Sequence, residues 1–86
     1  MQFKVLNPSY EARVRASFAR QAVMTLIGAV MTRVEPGRCT IELPVREDLT
    51  QQHGFVHGGV VGMIADSAGG YAAFTLMPAD ASVLTV

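Results

Sequence analysis

Apolar residues recur four apart near the start of the chain. Tyr10, Val14, Phe18 and Ala22 fall on one face of a helix of 3.6 residues per turn, which predicts an amphipathic helix over residues 9–22. Asn7 followed by Pro8 supplies its start, because Asn can cap free N–H groups and Pro suits a first turn. Glu11, Arg13, Arg15 and Arg20 occupy the other face and read as solvated charges. From 24 to 34 the residues turn β-friendly. Glu35-Pro36-Gly37-Arg38 then offers turn chemistry ahead of a run in which Cys39, Ile41 and Leu43 alternate with Thr40 and Glu42. That pattern predicts a β-hairpin with Cys39 on its apolar face, as a small hydrophobe with no base placed beside it. Pro44 ends the strand, and residues 46–52 read as a polar loop.

The stretch from 58 to 77 is apolar on every side, carries Asp66 as its sole charge, and is rich in Gly and Ala. A helix apolar all round is a buried helix. Each interior Gly costs about 1 kcal/mol of helix propensity relative to Ala, a cost that a sheet wrapped tightly around the helix would explain. Pro78 ends this element, and residues 82–86 begin another β-rich run. The expectation is one α+β domain over residues 1–86, with about three antiparallel strands around a long central helix. Three strands cover such a helix poorly. The domain therefore reads as truncated after its third strand, the rest coming from elsewhere in the gene product or from another copy, unless the domain is degraded.

Composition narrows the function classes. The chain has 86 residues, half of them apolar, enough for one domain with a thin core. Seven basic and seven acidic residues give a formal charge of zero and no basic stripe to neutralise phosphates, so nucleic acid is not an expected partner. The most apolar early run, 22–31, is interrupted by Thr25 and closed by Thr32-Arg33 well short of the roughly 20 residues a membrane helix needs. The first ten residues do not read as a secretory signal, and the single Cys39 cannot form an internal disulfide. A soluble cytoplasmic protein with no membrane partner is expected.

Candidate chemistry gathers between Gln51 and Asp66. An isolated carboxylate on an apolar helix must be paired, hydrogen-bonded, protonated or at a cleft, which makes Asp66 a candidate general base or nucleophile; a structural Asp is the plainer alternative. Gly54-Phe55-Val56-His57-Gly58-Gly59 runs straight into the helix start. Free N–H groups of a first helical turn suit an oxyanion, and Gly58 and Gly59 have no side chains to obstruct a carbonyl approaching them. His53 and His57, four apart, with Asp66 nine further on, raise a metal site, but the intervening glycines make this segment a loop and remove the helical spacing that would align the imidazoles. No Ser/His/Asp triad, phosphate loop or dinucleotide glycine pattern is present, and no cofactor or metal is expected.

The string Leu49-Thr50-Gln51-Gln52-His53-Gly54-Phe55-Val56-His57-Gly58-Gly59, followed by Ile64-Ala65-Asp66, resembles hotdog-fold acyl-CoA thioesterases of the phenylacetate-degradation type. The order of helix, hairpin and Gly/Ala-rich helix is similar too. The resemblance implies hydrolysis of an acyl-CoA thioester, with Asp66 as general base or nucleophile and the Gly58 N–H polarising the thioester carbonyl. It implies that His57 shapes the turn, and that Gly59 and His53 lie against substrate. It places Gln51 where many members have Asn, and Thr85 near a hydroxyl that helps hold the water. It further implies a homodimer or homotetramer, with the two parts of each site from opposite subunits. Other readings left open are a non-catalytic acyl-CoA-binding or assembly module, a metal-dependent hydrolase using His53, His57 and Asp66, and an inactive fragment.

Overall fold

The computed structural model describes residues 3–81. Its elements are α1 (Tyr10–Ala19), α2 (Ala22–Ile27), β1 (Val30–Glu35), β2 (Arg38–Glu42), a short 3-10 turn (Glu47–Leu49) and α3 (Gly58–Phe74). The expected β-rich run at 82–86 lies outside the described residues.

The first helix is shorter than its apolar stripe suggests. Its N-cap is Ser9, without a side-chain cap, so Asn7 and Pro8 precede the helix and do not start it: the Asn7 side-chain oxygen accepts the Ser9 N–H at 3.0 Å and its carbonyl accepts the Tyr10 N–H at 3.1 Å. Val14 is fully buried at the centre of the stripe, but the chain leaves helical geometry at Gln21, so Ala22 opens a separate helix and is exposed. The β-friendly stretch 24–34 thus divides. Residues up to Ile27 are helical, because Gly28 takes a left-handed φ of 77° and closes α2: its N–H bonds Thr25 at 3.2 Å, and the Ala29 N–H bonds Met24 at 2.9 Å. Propensity alone did not reveal this C-terminal cap. The strand starts only at Val30.

The hairpin forms as expected. β1 and β2 pair antiparallel from Glu35↔Arg38 to Val30↔Glu42, with an irregularity between Met31 and Arg33. Pro36 with Gly37 at φ 73° suits the positive dihedral of a tight turn. Cys39 is half-buried against the core, and burial pushes its thiol above the ordinary value, with the Arg15 charge pulling the other way.

Helix α1 packs on β1 and helix α3 on β2. One cluster joins Val14, Met31, Val34, Tyr71 and Phe74; a second joins Met24, Ile27, Ala29 and Leu49. Polar side chains fasten the elements. The Tyr71 hydroxyl meets Ser17 Oγ at 3.0 Å and accepts from Gln21 Nε2 at 2.7 Å. Arg13 and Arg15 do not form a merely solvated face: Arg13 donates to the carbonyls of Phe74, the last residue of α3, and of Met77 and Pro78 beyond it, and Arg15 donates to the Met31 carbonyl at 3.0 Å while pairing with Glu11. In the expected loop at 46–52, Arg46 donates to the Leu26 carbonyl at the end of α2, and Leu49 is buried.

The largest departure concerns α3. Tyr71 and Phe74 are its buried residues, whereas Val61, Gly62, Ala65, Asp66, Gly69 and Ala73 are exposed along one side. Two strands and two short helices cover only the opposite face, so the expected burial on every side is not achieved within the described residues. No helix among the described residues is long and apolar enough to cross a membrane.

Candidate active site

The segment leading into α3 is a small, internally bonded loop. Thr50 and Val56 form an antiparallel bridge, the Gln51 N–H donates to the Phe55 carbonyl at 2.8 Å, and the Gly54 N–H returns to the Gln51 carbonyl at 3.0 Å. Gly54 has φ 85°, which favours a residue without Cβ at the reversal. The Gln51 side chain folds back on the same loop, its Oε1 accepting the His53 N–H at 2.6 Å. That contact leaves the amide NH2 as the end able to donate elsewhere.

His57 is the hinge between loop and helix. Its backbone N–H donates to the carbonyl of buried Leu49 at 2.9 Å, and its carbonyl accepts the Val60 and Val61 N–H groups at 2.9 and 3.2 Å. Its Nδ1 accepts the Gly59 N–H at 2.8 Å, so the imidazole itself is the N-cap of α3. An accepting Nδ1 carries no proton, which places the neutral ring's proton on Nε2. The glycine pair is therefore unequal. Gly59 has its N–H engaged, while the Gly58 N–H has no acceptor among the described residues and a Cβ at Gly58 would stand in open space. Position 58 combines an unoccupied donor, the positive end of a 17-residue helix and room for an approaching carbonyl.

Asp66 lies on the same helix, exposed, with no hydrogen bond or ion pair among the described residues. Eight residues at 1.5 Å rise put it about 12 Å along the axis from Gly58. One copy therefore does not bring Asp66 to a carbonyl held at Gly58. The structure joins Gln51, His53, His57, Gly58 and Gly59 in one turn and leaves Asp66 two turns away. Thr85 lies outside the described residues. Among the described residues no three His, Cys, Asp or Glu side chains are gathered around a possible metal position.

Leu49 was not among the expected site residues, yet its burial and its carbonyl fix the His57 backbone. The available signal was its place as the lone apolar residue within the polar stretch 46–52.

No protein-family model matches the chain. Over 90% of its length the chain is similar to the crystal structure of a thioesterase family protein from Silicibacter pomeroyi, with a TM-score of 0.86 and 53% identity, and it spans 57% of that chain. It is also 32% identical over 54 residues to a Saccharolobus solfataricus protein named "Putative esterase", a match covering 63% of this chain and 39% of the relative. Among the described residues, the α+β arrangement of a two-stranded antiparallel sheet with a long helix thus matches a thioesterase-family structure. The chain spans less than two thirds of either relative.

Proposed function

We propose that the chain carries one part of a hotdog-type acyl-CoA thioesterase site, of the phenylacetate-degradation kind, that a second copy completes. The observation carrying this reading is the His57-capped start of α3, where the Gly58 N–H is the open donor and Asp66 stands exposed two turns along the same helix. The similarity at 53% identity to a thioesterase family protein supports a thioester rather than another carbonyl compound.

The Gly58 N–H holds the thioester oxygen as negative charge develops on it. Asp66 from the facing copy removes a proton from water as the water oxygen forms a bond to the carbonyl carbon, or attacks that carbon itself and is freed by water afterwards. In the first route collapse breaks the C–S bond, the CoA thiolate leaves and takes up the proton, and the free acid remains; in the second, C–S cleavage leaves an anhydride on Asp66, and the water that cleaves it gives the free acid, restores the carboxylate and supplies the thiolate's proton. Gln51 offers its NH2 end from the loop, and Gly58 lies in open space that the acyl group can enter. The open side of α3, Val61 through Ala73, is the surface expected to meet the second copy and further strands.

The test is release of free thiol from short, medium and aromatic acyl-CoAs, with Asp66→Asn as the control. Release that disappears in the variant supports the proposal. Turnover that survives Asp66→Asn sinks the residue assignment. Binding of the esters without release by a folded protein points instead to an acyl-CoA-binding module.

A further inference from the structure

Four glycines of α3 can be compared for what a side chain would encounter. At Gly58, Gly62 and Gly69 a Cβ would stand in open space, but at Gly59 it would come within 3.1 Å of His57 Nδ1 and 3.3 Å of His57 Cε1. Gly59 is an ordinary helical position with no positive φ, so backbone freedom does not account for the glycine there. The imidazole does: it lies against the Gly59 backbone, and a methyl group would push at the edge that carries the capping nitrogen.

We infer that His57 is a positioning residue for the Gly58 N–H, and that Gly59 is glycine in order to seat the His57 ring rather than to touch substrate. This rests on the thioesterase reading for its kinetic consequence, though not for its structural one. The chain of causes is short. Leu49 fixes the His57 backbone, the ring caps the Gly59 N–H, and the cap fixes the first peptides of α3 from which the Gly58 N–H projects. Gly59 is thereby withdrawn as a donor to substrate, and Nδ1 is withdrawn as a base.

A double-mutant cycle separates this from a direct role. Gly59→Ala keeps both N–H groups and displaces only the ring, so kcat should fall about tenfold with KM nearly constant, the signature of a donor slightly misaimed. His57→Asn replaces the ring with a short side-chain oxygen suited to an N-cap, and should recover part of the activity lost in His57→Ala. In the His57→Asn background no ring remains to be displaced. There Gly59→Ala should change kcat less than about twofold and raise the melting midpoint, because Ala is the better helix former. An equal loss of kcat on adding Gly59→Ala to either background would overturn the inference and make Gly59 a substrate contact. A midpoint that falls equally in both backgrounds would overturn it too. Wild-type protein without turnover would sink the thioesterase reading and the kinetic half, while the melting cycle still decides the seating of the ring.

Discussion

The guanidinium of Arg13 lies 4.1 Å from the centre of the Phe74 ring, and one of its nitrogens donates to the Phe74 carbonyl at 2.9 Å. Further bonds to the Met77 and Pro78 carbonyls, in the segment that follows α3, tie Arg13 both to the last helical residue and to the chain leaving it. A cation suits that end, since the last carbonyls of a helix lack partners and carry partial negative charge. Arg13→Ala should cost about 2–3 kcal/mol by chemical denaturation, from lost charged hydrogen bonds and the ring contact. Arg13→Lys should recover less than half, because a point charge cannot reach three carbonyls as a planar fork does.

Thr75 makes a second tie to the same end. Its hydroxyl is fully buried, accepts the Gly37 N–H of the hairpin turn at 2.8 Å and donates to the Ala72 carbonyl at 2.6 Å. Thr75→Val keeps the shape and leaves the Gly37 N–H without an acceptor, for a loss of about 1–3 kcal/mol. Thr75→Ser should lie closer to wild type in the same denaturation measurement.

Asp66→Asn should leave the melting midpoint almost unchanged, within about 0.5 kcal/mol of stability, because among the described residues the carboxylate is exposed and has no partner whose loss would cost stability. Turnover should fall by at least about a hundredfold if Asp66 handles the attacking water. Measured together, the two quantities separate a chemical role from a structural one.

Gly58→Pro deletes the proposed donor and adds a ring at the open position while leaving the backbone path of the helix start intact. Position 58 is the first residue of α3, where Pro is favoured, and His57 before it has ψ 134°, the extended conformation that a following Pro requires. Stability should hold while kcat drops about 10²–10³-fold, as for loss of one oxyanion donor. Co-expression of Gly58→Pro with Asp66→Asn should restore about a quarter of wild-type activity if each site draws on two copies, since half the random dimers would hold one intact site. No recovery in verified mixed dimers would place both groups in one chain's site.

Cys39 should resist alkylation. Burial raises its thiol, with Arg15 offsetting only part of that, so the thiolate is scarce in the folded protein. The folded state favours the protonated form. Its contribution to stability is therefore fully present below the unfolded thiol's ordinary value and is lost as pH rises through the folded one. Iodoacetamide labelling at neutral pH should run slower than in denatured protein, and stability should decline on the alkaline side.

What the sequence by itself determined is local. The Pro36-Gly37 reversal and the alternation through Cys39 and Ile41 specify the hairpin, and the spacing of Tyr10, Val14 and Phe18 specifies a helix face, because both depend on dihedrals and neighbours a few residues away. The sequence marks the Gly-Phe-Val-His-Gly-Gly entry and Asp66 as candidate chemistry for the same reason: residue type and short spacing limit what a helix start can do. Tertiary structure decided the rest. The break at Gln21 and the cap at Gly28 turned a β-friendly run into α2, and Arg13, read as a solvated charge, found carbonyls more than sixty residues away. Most consequentially, periodicity showed that α3 is apolar on all sides but not which sides the chain covers. Only the packing shows that, among the described residues, its Asp66 side is left uncovered, because burial is set by what folds back from a distance, or arrives from another copy, and not by the residues of the helix itself.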